Sequence, residues 1–431
     1  MPGFKMTADW LTADDSDPIL SATTANVTIE ANGVPLTKNV NGWTKEVENS
    51  IQVSAYPLAK WLAFNWWRIE NEYLPMNGRT PNYDWRFAHE LGAADNGYVW
   101  PNLLFVSDGD FINIWSGVMH TPLQSVDYIA ETGLFPVPVA DFQTSASSFI
   151  SATIEKLDGI DDDLHDLWKI VQEERSVPTT CEIRRLEAIL GYDPEECPEV
   201  LLEQMIQFQK KTGAASIKEL AMFLKDDETL TPLLDKAKGI ECAPQFLPDL
   251  DALGTSHGML PWQLGVRLAR ESRKAYGLGD GAIESKTLLE LLGIGPNGLT
   301  DYNRFSVETP FSVGRNGANG KWSFVPRHKA RETSQRFELA RFLGDALLYG
   351  KENDWLVTSD CKSSRQKMQR AFAAEFLCPI SDLDDFLKGD YSETMQEKAA
   401  EHFKVSDHTI DSILRNNGRI ERDDQFFPYS A

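Results

Sequence analysis

The chain has 431 residues, 25% charged and 42% apolar, which is enough for two to four domains with real cores. A net charge of −23 repels nucleic-acid phosphates and anionic membranes, so DNA binding through bulk charge is disfavoured and the expected partners are proteins or small effectors. No apolar run reaches the roughly 18 residues that span a bilayer.

The five cysteines, Cys181, Cys197, Cys242, Cys361 and Cys378, are odd in number, widely spaced and without a CxxC pair. They read as reduced thiols of a cytoplasmic protein. The opening MPGFKMTADWLTADDSD is acidic and lacks the apolar segment of a secretory signal. No cofactor is expected.

Residues 1–149 read as a Trp-rich α+β domain. Asn26 to Val40 alternates apolar and polar residues around Asn32-Gly33, a two-residue hairpin signal. Ser50 to Ala55 reads as a strand, and Tyr56 to Tyr73 as one helix with Pro57 in its first turn. Eight of the 12 tryptophans fall in the first 115 residues, as a core or as an aromatic recognition surface. Trp66 and Trp67 are adjacent, so one of them is expected to face outward. Leu103 to Val106 and Phe111 to Trp115 predict a second hairpin. The segment WRFAHELG at 85–92 contains a His-Glu pair, His89-Glu90, but Ala93 stands where a second His would be needed. The pair is assigned to hydrogen bonding at a domain surface.

Residues 150–250 form an expected acidic helical domain, with 22 acidic against 11 basic residues between 151 and 250. Helical periodicity appears in Ser151 to Leu157, Leu164 to Glu174, Thr180 to Leu190, Val200 to Thr212 and Ile217 to Leu224. The run Asp161-Asp162-Asp163 lacks the glycine and terminal glutamate of a calcium loop and reads as a helix start.

Residues 251–431 hold the most informative stretch. Leu260 to Tyr276 is a basic amphipathic helix, and Ile283 to Leu292 is another that ends at Gly293. Phe305 to Val313 and Lys321 to Val325 are strand candidates around a Gly-rich turn at 315–320, which has neither a GxxxxGK[ST] nor a GxGxxG pattern. Arg327, His328, Lys329 and Arg331 form a basic cluster, a solvated loop or a site for an anion or acidic partner. Ser334 to Leu348, SQRFELARFLGDALL, places Phe337, Ala340, Leu343, Gly344 and Leu347 at helical spacing.

That helix resembles a zinc-peptidase helix of the form RFTLAHELGHLLL, in which two His at i and i+4 bind the metal and the Glu between them is the general base. Gln369 to Pro379, QRAFAAEFLCP, and Ala399 to Asn416, AAEHFKVSDHTIDSILRN, are similar in the same order to the later segments of the ImmA/IrrE metallopeptidases. Residues 330–420 carry the resemblance. It implies a zincin-like domain at 251–431 and zinc peptidases that act on repressors in phage or stress circuits. Here, however, Arg341 stands at the first His, Phe342 at the Glu and Asp345 at the second His. The region of the third ligand, Arg365 to Arg370, contains no acid.

Arginine offers a metal no lone pair. The expectation is therefore a multidomain α+β protein whose degenerate cleft holds Glu338, Arg341, Phe342, Asp345 and Glu375. An Arg341–Asp345 ion pair would fill the ligand positions, with no metal and no catalytic residue. It would bind a protein partner or effector in a bacterial or prophage regulatory, toxin–antitoxin or phage-defence system. The alternative is a metal-dependent endopeptidase with atypical ligands drawn from His328, His402 or His408 and Glu375 as base. The tail at Val405 to Asn416 resembles a helix-turn-helix, but Asp407 and Asp411 on its second helix argue against DNA reading.

Overall fold

The computed structural model describes residues 3–75, 80–94, 100–117, 126–160, 162–225, 237–245, 258–317 and 320–421. The fold is α+β and divides into two compact units, residues 1–202 and 203–424.

The first unit is built on strands β1 (Phe4–Trp10), β2 (Thr24–Ala31), β3 (Val34–Pro35), β4 (Asn39–Asn41), β5 (Val47–Glu48) and β6 (Ile51–Ser54), with a short helix α1 (Pro18–Ala22) before β2. Strand β2 pairs antiparallel with β1, β3 and β6. Its alternation puts Ala25, Val27, Ile29 and Ala31 on the core face, all fully buried. The β2–β3 turn is Asn32-Gly33 at φ 52° and 84°, the left-handed pair that a two-residue hairpin requires.

Helices α2 (Tyr56–Phe64) and α3 (Trp66–Asn71) replace the single expected helix. The break is at Asn65, whose side-chain amide donates to the Trp61 carbonyl at 2.9 Å. Helix α4 (Tyr83–His89), a meander of β7 (Leu103–Ser107), β8 (Phe111–Ser116) and β10 (Gly133–Pro138), and β9 (Val126–Tyr128), paired to β4, complete the sheets. Helices α5 (Val139–Lys156), α6 (Asp163–Ser176) and α7 (Pro178–Ile189) close the unit.

Both Trp66 and Trp67 are buried, against the expectation that one faces outward. Helix α3 is covered on more than one side. Trp66 packs on Trp168 of α6 at 4.9 Å, while Trp67 Nε1 donates to Glu174 at 2.9 Å. His89 is likewise no surface residue. It is fully buried, stacks on Trp85, donates from Nδ1 to the Phe105 carbonyl at 2.7 Å and meets Glu72 through Nε2 at 3.1 Å.

The two units do not follow the expected three-part division. Its 149/150 boundary falls inside α5, and Phe149, Leu164, Trp168 and Val171 share one core with Val27, Trp66 and Phe105. The 250/251 boundary lies outside the described residues, as does Asp161. Asp162 caps α6, accepting from the amides of Leu164 and His165.

The second unit begins within α8 (Glu199–Thr212) and continues with α9 (Ala214–Leu224), β11 (Ile240–Cys242), α10 (Pro261–Ala275), α11 (Ser285–Leu291) and α12 (Gly298–Phe305). Then come β12 (Phe311–Asn316), β13 (Trp322–Val325), α13 (Glu332–Tyr349), β14 (Trp355–Ser359), α14 (Ser364–Leu377), α15 (Ile380–Leu387), α16 (Glu393–Phe403) and α17 (Asp407–Asn416). The strands make an antiparallel sheet in the order β11-β13-β12-β14. Residues 318 and 319 of the expected Gly-rich turn lie outside the described residues.

Helix α13 packs against this sheet through Phe342, whose ring lies 4.6 Å from that of Phe324 and directly over Gly314. Its other side meets α14, with Gly344 against the ring of Phe372. Arg336, 1% exposed, ties α13 to its neighbours through Ser285 Oγ and the carbonyls of Ile283 and Lys404.

Candidate functional site

Glu338, Arg341 and Asp345 recur at i, i+3 and i+7 on α13. They share one face of the helix, and all three are 2% exposed or less. Burying charge is tolerated only with partners, and each side chain has its own. Glu338 accepts from Ser312 Oγ at 2.6 Å and from Arg327 at 2.9 and 3.1 Å. Arg327 also grips Asp360 at 2.7 and 3.0 Å. Asp345 receives the fork of Arg365, from the first turn of α14, at 2.7 and 2.8 Å.

Arg341 donates from Nη2 to the Ser359 carbonyl and, at 2.6 Å, to Gln366 Oε1. Its Nη1 lies 3.7 Å from both Glu338 and Asp360, and its Nε has no acceptor. Gln366 also accepts from the Ser359 amide and donates to the Val357 carbonyl, locking α14 to the end of β14.

Burial alone would raise the Asp360 carboxyl. The hydrogen bonds and charge of Arg327, with Arg341 and Lys329 beyond it, outweigh that and bring it down to about 2. Burial, partly offset by Glu338, pulls the Arg341 guanidinium below its usual range. Burial pushes the nearby Glu219 carboxyl of α9 up, although Ser363 Oγ donates to it at 2.7 Å.

The expected Arg341–Asp345 pair is therefore corrected. A bidentate fork from Arg365 satisfies both oxygens of Asp345, a stronger geometry than a single contact along one helix. Arg341 turns to Ser359 and Gln366 instead. Phe342 is not a cleft residue but part of the sheet-side core. Glu375 is also separate. It lies ten residues beyond Arg365 on α14, about 15 Å along the axis, and pairs with Arg270 at 2.7 Å and the Ile380 amide.

The basic cluster is split as well. Arg327 is 5% exposed and belongs to the buried network. His328 and Arg331 are exposed and Lys329 is half-buried. His402 stacks on Phe386, and His408 is exposed.

These residues do not fit the zinc ion that the resemblance implies. Arg341 and Arg365 carry only donors, and the oxygens of Asp345 and Glu338 are engaged by arginine. Among the described residues no group of three His, Cys, Asp or Glu is placed to hold a metal.

The sequence reading omitted Asp360 and Glu219 and did not pair Arg365 or Gln366. Glu219 left a trace, an acid in the apolar face of α9 beside Ser216 and Leu220, all buried. Arg365 and Gln366 stand in the region where the resemblance puts a third ligand. All five cysteines are free thiols, four of them buried. Among the described residues no helix is long and apolar enough to cross a membrane. Compared with models of known families and with curated proteins, the chain matches none.

Proposed function

We propose that the second unit is a zincin-like frame of the ImmA/IrrE kind that has exchanged its metal for a charged network. On this reading it is a non-catalytic module that binds a protein partner or effector. The resemblance puts it in a bacterial or prophage regulatory, toxin–antitoxin or phage-defence circuit. One observation supports the reading above the rest. The residues at the two His positions, Arg341 and Asp345, and those at the third-ligand region, Arg365 and Gln366, meet in one buried network.

Ligand positions that converge without ligand chemistry suit a retained scaffold better than an active peptidase. A buried network in which each charged group is held by partners also ties α13, β14 and α14 together, as a recognition surface requires. The endopeptidase alternative has no such support, because Glu375 and the three histidines share no partners.

The test is co-expression of the full chain with the products of adjacent genes, followed by size-exclusion chromatography with and without added zinc. The expected result is a stable complex with an intact partner. Zinc-dependent cleavage of that partner would overturn the proposal.

A further inference from the structure

The chain carries eight Asn-Gly pairs, of which the described residues include five, at Asn32, Asn41, Asn297, Asn316 and Asn417. An asparagine before glycine is chemically labile, because no side chain on the glycine hinders the approach of its amide nitrogen to the asparagine Cγ. In a folded chain three groups decide whether that attack occurs. They are the glycine N–H, the Oδ1 that takes up negative charge and the Nδ2 that leaves.

At three of the pairs the glycine N–H is already committed. Gly298 donates to the Gly295 carbonyl at 3.0 Å, Gly317 to that of Lys321 at 2.7 Å and Gly418 to that of Arg415 at 3.1 Å. Asn316 and Asn417 also hold their Nδ2, on Asp354 at 3.3 Å and on the Ile413 carbonyl at 2.8 Å. Asn32 leaves the Gly33 N–H free, but its Nδ2 is drawn to the Pro136 carbonyl at 3.1 Å. Asn41 differs in all three groups. Its Oδ1 accepts from the amides of Trp43 at 2.9 Å and Thr44 at 3.3 Å. Among the described residues neither its Nδ2 nor the Gly42 N–H has an acceptor. The two amides curl the side chain back over the Gly42 peptide and stand where an oxyanion would form.

We propose that Asn41 is a modification site, at which the Asn41-Gly42 peptide rearranges through a cyclic imide to aspartate and isoaspartate ahead of the other described Asn-Gly pairs. The Gly42 nitrogen loses its proton to solvent base and bonds to Asn41 Cγ. The Cγ–Nδ2 bond then breaks and ammonia leaves. Water adds to either carbonyl of the imide, giving aspartate, or isoaspartate with the main chain routed through Cβ and Cγ. Asn41 closes the hairpin from β4 to β5, donating to the Glu46 carbonyl at 3.0 Å and accepting from the Lys45 amide at 2.9 Å, and it pairs with Val126 of β9. Isoaspartate turns the accepting carbonyl into a free carboxylate, so it loosens the tip that presents Trp43, 87% exposed. The proposal rests on the geometry of the first unit and not on the peptidase resemblance.

The test is timed incubation of the full chain in mildly alkaline buffer, followed by peptide mapping with mass spectrometry that separates aspartate from isoaspartate. The expected result is conversion at Asn41 at least about ten-fold faster than at Asn297, Asn316 and Asn417, the barrier equivalent of one hydrogen bond, and faster than at Asn32. In urea the five rates are expected to converge, since every pair shares the glycine. Gly42 does not take a positive φ, so Gly42→Ala is expected to keep the circular dichroism of the parent. The added methyl group is expected to slow conversion at Asn41 by about ten-fold or more. Equal rates at Asn41 and the three committed pairs, faster conversion at Asn32, a ranking that survives in urea, or an Asn41 rate unchanged by Gly42→Ala would each overturn the proposal.

Discussion

Asp345 is fully buried and both its oxygens face the Arg365 fork. Asp345→Asn keeps the volume but leaves Arg365 buried without a counter-charge, which costs about 3–5 kcal/mol in comparable pairs. Urea denaturation of the variant is expected to show a loss on that scale. A change below about 1 kcal/mol, the worth of an exposed pair, would mean that Arg365 is not the partner. Arg341→Met takes the guanidinium donor from the Ser359 carbonyl, while Gln366 Oε1 keeps the Ser359 amide, and is expected to cost less, about 1–3 kcal/mol. Reversed magnitudes would favour Arg341 as the principal charge partner. The sequence shows Arg341 and Asp345 on one face of a helix. It cannot show that Arg365, twenty residues on, claims the carboxylate, because that choice is made by the packing of α13 on α14.

Helix α10 crosses α14 so closely that a methyl at Gly265 would run into the Met368 carbonyl and the Ala371 side chain. Backbone cannot yield as a side-chain tip can, so Gly265→Ala is expected to destabilise by about 1–3 kcal/mol despite its better helix propensity. A thermal melt that rises would refute this close approach. Elements with strong periodicity were legible in the sequence, among them α6, α10, α13 and the Asn32-Gly33 hairpin. Strand β14 was not, since WLVTS is buried at every position and shows no alternation. Strand β11 spans only Ile240–Cys242. The break at Asn65 also carries no glycine or proline to announce it.

At the scale of the whole chain, charge density suggested a separate acidic domain, but apolar packing draws the boundaries. The helices of 139–189 complete the Trp-rich core, and α8 and α9 join the second sheet, with Phe208 on Trp355 and Phe223 on Phe311. Two carboxyls, one in each unit, respond to pH in opposite senses. Glu70, in the first unit, is buried with Oε1 unpartnered, and burial, only partly opposed by Arg175, raises it to about 7. Its unfolded value is about 4.3. The folded state therefore holds the proton more tightly, and this contribution is full below about pH 4 and lost as pH rises through about 7. Asp360 lies at about 2 when folded against about 3.9 unfolded, so its contribution is present above about pH 4 and lost as pH falls towards 2. Glu70→Gln is expected to flatten the decline between about pH 4 and 7, and Asp360→Asn the decline in acid, in denaturation series across pH. An unchanged slope in either variant would contradict the corresponding environment.

The proposed exchange of a metal site for an arginine network is tested most directly by elemental analysis of tag-free chain after dialysis against excess zinc and removal of unbound metal. The donor set of Arg341, Asp345 and Arg365 leads to less than about a tenth of an equivalent of zinc, manganese or iron, since arginine supplies no lone pair and Asp345 is fully engaged. A full equivalent, lost on mutating Asp345 or Glu338, would contradict the account and favour the metal-dependent alternative.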